Sequence, residues 1–208
     1  MPPTLLSTTY FGPIEWYHHL YRSPQCVIEQ WESFQKQTYR NRCIIATASG
    51  LQTLSVPIVK EETKAAEKRD HAAIRQVRIS NHGDWRRQHW NAIRSAYGES
   101  PFFDYYEDDL RPFFTTHWDH LLDFNEAIRT TICRLLDIEP NVRWSASFQA
   151  TPADAVDLRT AINPKHPEDT GFTPKPYYQV YAHKHGFRPH LSILDLLLNM
   201  GPEAVFYL

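Results

Sequence analysis

Two polar residues that could bind an anionic ligand stand where a predicted strand begins. Asn41 and Arg42 open a β-rich run directly after a polar stretch, which places an amide and a guanidinium at a strand end. An arginine fork suits a phosphate or a carboxylate, because it binds either through two parallel hydrogen bonds. The alternative is that Arg42 pairs with a structural carboxylate such as Asp195. We predict Asn41 and Arg42 as substrate-binding residues.

Aromatic side chains are unusually abundant, with 11 Phe, 11 Tyr and 6 Trp. Tyrosine and tryptophan combine a flat apolar face with a polar edge, which suits the binding of sugars or bases. Tyr10 ends the first β-rich run, Trp85 opens an aromatic helical stretch, and Tyr178 and Gln179 stand together near the tail. We predict these four as further substrate-binding residues, with packing of the rings in the core as the alternative.

Three histidines in the run AHKHGFRPH, namely His183, His185 and His190, are candidates for a metal site because two of them are two residues apart. No carboxylate lies within that run, and the weaker cluster of residues 117–123 matches no defined metalloenzyme spacing either. With 11 histidines in the chain, some proximity is expected by chance. We therefore predict no metal, with a metal role for the histidines of 183–190 as the alternative.

The usual signatures of nucleophilic catalysis and of phosphate-binding loops are missing. There is no Gly-x-Ser-x-Gly, and the seven glycines form neither the dinucleotide fingerprint nor the P-loop. No cofactor and no catalytic residue are therefore predicted. Asp195 lies in an apolar helical run, where an ionised carboxylate needs a partner. Ser192 is predicted as the cap of that helix, which makes Asp195 its third residue and favours a structural role.

The coarse pattern of the chain predicts strands mixed with helices. Strands are predicted at 4–10, 25–29, 74–80, 142–148 and 177–182, with a hairpin at 41–59 around Gly50. Helices are predicted at 14–21, 85–97, 102–110, 116–137 and from Ser192 onward. Because strands and helices do not alternate strictly, we predict an α+β fold with a mixed, partly antiparallel sheet and helices packed against it, in a single domain of residues 1–208.

Two segments are predicted to be loops. Residues 61–70 carry alternating charges and no apolar stripe, which predicts a solvated loop. Residues 152–176 are polar and rich in proline, and such a long connection in a compact domain is usually functional or mobile.

Charge and cysteine content exclude several classes of protein. The 22 basic and 24 acidic residues are interspersed, which disfavours nucleic-acid binding, including single-strand binding through aromatic platforms. The three cysteines are odd in number and widely separated, which indicates a reducing compartment. The opening residues have no secretion signal, and no run of apolar residues is long enough for a membrane span. A cytoplasmic location is therefore expected, and the oligomeric state stays open.

Several segments together resemble the WbqC-like protein family. These are LLSTTYFGP at 5–13, YRNRCI at 39–44, LSVP at 54–57, the aromatic helix from Trp85 to Tyr97, and YQ at 178–179 followed by LSILDLLLNMGP at 191–202. The tail is the most specific of these matches. The family usually has Gln-Pro where this chain has Thr8 and Thr9, which indicates that this chain binds its ligand differently or binds another one.

The resemblance implies a pathway more than a reaction, because the family is associated with bacterial surface polysaccharide biosynthesis. It implies a transferase, or an associated enzyme, that modifies an activated sugar during O-antigen assembly, with a small molecule or nucleotide-sugar as ligand. The alternative is a non-enzymatic binding or scaffold protein of the same pathway. These hypotheses differ in whether the cleft holds a titratable group with a perturbed environment and a hydrogen-bonded partner.

Overall fold

The structure is a computed structural model that describes residues 2–59, 73–165 and 167–208. Within these ranges the chain forms seven α-helices and two β-sheets, which confirms the α+β class. The strands are β1 (Thr4–Ser7), β2 (Cys26–Glu29), β3 (Arg42–Thr47), β4 (Gly50–Ser55), β5 (Val142–Trp144) and β6 (Val156–Asp157). The helices are α1 (Ile14–Arg22), α2 (Trp85–Tyr97), α3 (Phe103–Leu110), α4 (Pro112–Thr115), α5 (Leu121–Leu135), α6 (Ala182–His185) and α7 (Ile193–Met200).

The parallel and the antiparallel strands lie in separate sheets. Four strands form a parallel sheet in the order β5-β2-β1-β6, and β3 and β4 form an antiparallel hairpin. Ser7 at the end of β1 lies opposite Glu29 at the end of β2. The carboxyl ends of these strands therefore meet at one edge of the sheet.

The hairpin follows the prediction made around Gly50. Thr47 pairs with Gly50 across the turn, and Gly50 has a φ of +123°, which glycine adopts more readily than other residues. At the other end of the hairpin, Arg42 pairs with Ser55. The main chain of Ile44 accepts a hydrogen bond from Ser192, so β3 lies directly beside the start of α7.

The helices bury the apolar stripes that their sequences predict. Leu121, Phe124, Ile128 and Ile132 of α5 are fully buried, because a 3.6-residue period places them on one face. Helix α7 is buried almost all round, and it contacts α1, α3 and β3. The Oγ of Ser192 accepts a hydrogen bond from the Leu194 amide, which confirms Ser192 as the N-cap.

Two predicted strands are not strands. Residues 74–80 form a short 3-10 helix (Ile74–Gln76) followed by single bridges from Arg78 to His120 and from Ile79 to Ile58. The segment has two different partners in succession, so no continuous ladder forms. Residues 177–182 are irregular up to α6, because the side chain of Gln179 there bonds to the main chain of Arg188.

The long helix is shorter than predicted, since α5 begins at Leu121 rather than Thr116. The Leu121 amide donates to Val77 O, and the bridge between Arg78 and His120 holds the preceding residues extended. Asp84 directly precedes α2, but its carboxylate pairs with Arg87 and makes no capping hydrogen bond.

The two segments predicted to be loops are residues 61–70 and residues 152–176. Residues 61–70 lie outside the described residues. Residues 152–176 contain β6, which pairs with β1 and is followed by the buried residues Leu158, Arg159 and Ile162. The connection therefore completes the parallel sheet. No helix in the described part of the chain is both long and apolar enough to cross a bilayer.

Candidate functional site

Charged side chains gather at the carboxyl ends of the parallel strands, where ligands usually bind in open α/β sheets. We call Glu29, Glu32, Arg40, Asp157 and Arg159 the sheet-end network. The Nε of Arg40 donates to Glu32 Oε1 at 2.9 Å, and Arg159 Nη2 donates to Asp157 Oδ2 at 2.6 Å. Arg159 Nη1 also lies 3.4 Å from Glu29 Oε2.

The charges of this network are satisfied within it. Glu29 Oε1 accepts hydrogen bonds from the Trp31 amide and from Ser145 Oγ, while Arg40 Nη2 donates to Ser7 Oγ at 2.7 Å. Burial acts to raise the pKa of Asp157, but its hydrogen bonds from Arg159 outweigh burial and lower it. Since each carboxylate faces an arginine, the network leaves little capacity for a ligand.

A second group of polar side chains lies around an open cleft of about 240 Å³ beside the start of α7. We call this the α7 cleft. The side chains that line it include Phe172, Lys175, Tyr177, Phe187, His190 and Tyr207. The ring of Tyr177 meets those of Phe187 and Tyr207 edge to face, with centroids 5.4 and 5.7 Å apart. The cleft is therefore walled by aromatic rings with a lysine at its margin.

His190, which lines this cleft, faces the buried carboxylate of Glu15. Its Nδ1 lies 3.4 Å from Glu15 Oε2, an ion-pair contact rather than a well-formed hydrogen bond. Thr170 Oγ1 donates to the other oxygen of Glu15. Burial acts to raise the pKa of Glu15, but the contacts with His190 and Thr170 more than offset it, so the pKa is lowered. An imidazole held by a carboxylate on one nitrogen has the other nitrogen available as a general base.

The chain brings this pair together through main-chain pairing. Glu15 is the second residue of α1, and the amide of Ile14 donates to Leu191 O at 3.0 Å. His190 precedes that residue and has a φ of +59°, which is uncommon for a residue other than glycine. The tight turn at His190 therefore sets its ring against the first turn of α1.

Asp195 lies behind the same cleft and has no cationic partner among the residues that the structure describes. Its Oδ2 accepts hydrogen bonds from Tyr177 Oη at 2.6 Å and from Gln179 Nε2 at 3.0 Å. Burial raises its pKa to about 6, although the bonds from Tyr177, Tyr97 and Gln179 act to lower it. Asp195 was expected to need a partner, and its partners are the neutral donors Tyr177 and Gln179. The alternative pairing of Arg42 with Asp195 is not formed.

The six predicted substrate-binding residues do not share one cavity, and their binding role stays a prediction. Tyr10 is buried and its hydroxyl bonds to His89 Nδ1 at 2.9 Å. Burial lowers the pKa of His89 to about 4, so this histidine is neutral near pH 7. Trp85 is also buried, with its Nε1 donating to Ser80 O. These two rings belong to the interior.

The other four predicted residues differ in exposure. Asn41 Nδ2 donates to Val56 O at the foot of the hairpin, and Arg42 beside it is half-buried. Tyr178 is 58% exposed, whereas Gln179 is buried against Asp195. Of the six, Gln179 alone bonds to a side chain of the α7 cleft, namely Tyr177 Oη.

Sequence reasoning missed Glu15, Lys175 and Tyr177. The signal for Tyr177 was present, because residues two apart in an extended segment share a side, and Tyr177 therefore accompanies Gln179 rather than Tyr178. Nothing local marks Glu15, whose partner is 175 positions away. His183 and His185 bond to the carbonyls of Val180 and Ala48, and no group of three metal-ligating side chains is found in the described residues.

Comparison with known proteins gives one family and one curated relative that bear on this site. The model of the WbqC-like protein family matches residues 8–169. The uncharacterized protein Rv1507c of Mycobacterium tuberculosis is 28% identical over 201 residues, which cover 84% of this chain and 83% of that protein. No solved structure matches. The matched range includes Glu15 but ends before Lys175, Tyr177 and His190.

Proposed function

Because the chain belongs to the WbqC-like protein family, we propose that it modifies an activated sugar in the assembly of bacterial surface polysaccharide, including O-antigen, as a transferase or a closely associated enzyme. The ligand is a small molecule such as a nucleotide-sugar, and the protein acts in the cytoplasm. The observation that carries the proposal is the His190–Glu15 pair at the wall of a cleft lined by aromatic rings.

The side chains of the α7 cleft suit such a ligand in three ways. The rings of Tyr177, Phe187 and Tyr207 offer apolar surface for a sugar or a base. Lys175 is exposed at the margin of the cleft, where an ammonium group attracts phosphate. Tyr177 is fixed by its hydrogen bond to Asp195, so its ring is held in one place when a ligand arrives.

His190 supplies the proton acceptor in this proposal. A hydroxyl or amine of the acceptor loses its proton to His190 Nε2 while its oxygen or nitrogen bonds to the electrophilic atom of the donor. The leaving group departs with the electrons of the broken bond. Glu15 stabilises the imidazolium that forms, and such a base contributes about 10²–10⁴-fold to the rate.

The test is a panel of nucleotide-sugars with acyl and aminoacyl donors, in which mass spectrometry detects products and thermal shift detects binding. We expect one combination to give product, and His190→Gln to lower the rate by about 10²-fold or more. His183→Gln is the matched control, since His183 is exposed and bonds only to the nearby Val180 O.

The outcomes separate the two candidate functions. Turnover that survives His190→Gln at the normal rate contradicts the proposed role of His190. Binding without turnover across the whole panel supports the non-enzymatic binding or scaffold protein instead. Neither turnover nor a shift in melting temperature with any member of the panel overturns the proposal.

A further inference from the structure

A second cleft, of about 250 Å³, lies between the tip of the β3–β4 hairpin and residues 179–188. We call it the hairpin cleft, and the residues that matter are Ala46, Gly50, Gln179, His185, Gly186 and Arg188. Gln179 joins it to the α7 cleft, because the Gln179 amide bonds to Tyr177 Oη on one side and its Oε1 accepts from the Arg188 amide on the other. The two clefts therefore share a wall.

The hairpin cleft is bordered by basic side chains. Lys184 Nζ and His185 Nε2 both bond to Ala48 O, at 2.7 and 3.2 Å, which fixes α6 against the hairpin turn. The guanidinium of Arg188 is exposed and has no hydrogen bond or ion pair to any described residue. An unpaired arginine at the wall of a cleft is available to an anion.

Acidic groups stand back from this cleft. None of the described residues that line it is Asp or Glu. Asp195 lies behind Gln179, which covers it with its own amide. Burial raises the pKa of Tyr181, which lines the cleft, and the charge of Glu99 raises it further. The local charge is therefore positive, although the whole chain carries a formal net charge of -2.

Two glycines, Gly50 and Gly186, line the hairpin cleft, and a ligand can come close to the main chain there. Gly50 and Gly186 both have positive φ, and a Cβ added to either would meet no atom within 4 Å. The main chain at these two positions is thus uncovered by side chains. A compact anion can therefore come close to the chain at these two positions. The amide of Gly186 already donates to Ala182 O, so the free donors of the cleft are those of Arg188.

We propose that the hairpin cleft is a binding site for a phosphate-bearing group, with Arg188 as its principal ligand. The guanidinium binds two phosphate oxygens through parallel hydrogen bonds, and Lys184 adds positive charge. That the remainder of the ligand is an activated sugar in the α7 cleft rests on the proposed function. A diphosphate would then lie beside Gln179, between the two clefts.

The experiment measures binding of inorganic pyrophosphate and of uridine diphosphate to the full chain by titration calorimetry. Arg188→Gln is expected to weaken binding of both at least about tenfold, because the neutral amide cannot form the charge-assisted pair of hydrogen bonds that the guanidinium forms with phosphate. Arg188→Lys keeps the charge but loses the fork, so its affinity should fall between the two. Arg143→Gln, at an exposed arginine of β5, is the matched control and should bind as the unaltered protein does.

The two probes separate the sources of the phosphate. If pyrophosphate and uridine diphosphate both bind and both depend on Arg188, the site recognises the phosphate itself. If only uridine diphosphate binds and Arg188→Gln has no effect, a base-binding site elsewhere accounts for it and the inference is overturned. Equal weakening by Arg143→Gln would show nonspecific attraction and would overturn it too. Because Arg188 is exposed, the unfolding midpoint of Arg188→Gln should stay unchanged, which checks that the variant is folded.

This result stands apart from the test of the proposed function. His190→Gln should bind pyrophosphate like the unaltered protein, because His190 lines the α7 cleft and not the hairpin cleft. Loss of turnover in that variant with pyrophosphate binding retained supports both proposals. If pyrophosphate binding does not depend on Arg188 while turnover still depends on His190, the phosphate site is contradicted and the role of His190 stands.

Discussion

The sheet-end network and the α7 cleft both bury carboxylates, but they stabilise them in different ways. In the network, Glu29 and Glu32 face the guanidinium groups of Arg159 and Arg40. Behind the α7 cleft, Asp195 receives hydrogen bonds from neutral tyrosine and glutamine side chains. The first arrangement opposes charge with charge, and the second leaves a buried acid whose pKa is raised to about 6.

The difference shows which region is available for function. Full pairing consumes the polar capacity of the sheet-end network, even though the carboxyl edge of a parallel sheet is the usual place for a ligand. The α7 cleft instead holds polar side chains that can still bind a ligand, including His190 and Lys175. We therefore expect substitutions in the network to change stability most, and substitutions in the cleft to change pH dependence and ligand binding.

The largest effect is expected from breaking the network at Arg40. Arg40→Met leaves the buried Glu32 unpaired and should lower the free energy of unfolding by about 3–5 kcal/mol, measured by urea denaturation. The control is Arg87→Met, because Arg87 pairs with Asp84 in solvent and its loss should change stability by less than about 1 kcal/mol. Pairing Arg40→Met with Glu32→Leu should recover most of the loss. If Arg40→Met and Arg87→Met lowered the free energy of unfolding by equal amounts, the comparison would be contradicted.

A smaller effect, with a definite pH dependence, is expected at Asp195. Its raised pKa means that the folded chain holds the proton more tightly than the unfolded chain. The stability from that proton is complete below the unfolded pKa and is lost as pH rises through about 6. Asp195→Asn removes this loss, so its stability relative to the unaltered protein should rise by about 3 kcal/mol between about pH 4 and about pH 8.

Urea denaturation of both proteins across that pH range measures the difference. A difference that does not change with pH would show that folding does not raise the pKa of Asp195. In that case the contrast between the two regions would fail, because Asp195 would behave like a paired carboxylate.

The smallest effect is expected at Thr170, which donates a hydrogen bond to Glu15. Thr170→Val should lower the free energy of unfolding by about 1 kcal/mol near neutral pH. The pKa of Glu15 is lowered in the folded chain. The stability that its hydrogen bond with Thr170 contributes is therefore present above the pKa of Glu15 in the unfolded chain, and it is lost as pH falls through the pKa of Glu15 in the folded chain. The slope is therefore opposite to that of Asp195. Thr173→Val, at an exposed threonine of the same segment, is the control, and equal losses in both would contradict the role of Thr170.

The elements that local patterns define could be predicted from the sequence. The hairpin around Gly50, the aromatic helix from Trp85 and the cap at Ser192 all depend on residues close in the chain. The segments 74–80 and 177–182 were predicted as strands, but a local pattern of side chains does not show whether a neighbouring strand exists.

The candidate site was harder to predict, because its parts are far apart in the chain. Gln179 was identified, but its partner Asp195 was expected to have a structural role, and Tyr177 was passed over for Tyr178. Glu15 and His190 meet only because Ile14 pairs with Leu191. No local pattern encodes that pairing, so it required the folded structure.

The position of β1 constrains the order in which the chain can fold. This strand pairs with β2 about 20 residues later, but its other neighbour, β6, arrives about 150 residues later. Contacts between residues so far apart in the chain slow folding, because the entropy of closing a long loop is lost before the strand pairing stabilises the chain. During synthesis, one edge of β1 stays unpaired until residues 156–157 have emerged from the ribosome. Chaperone dependence of the newly made protein should therefore be greatest in fragments that end before β6.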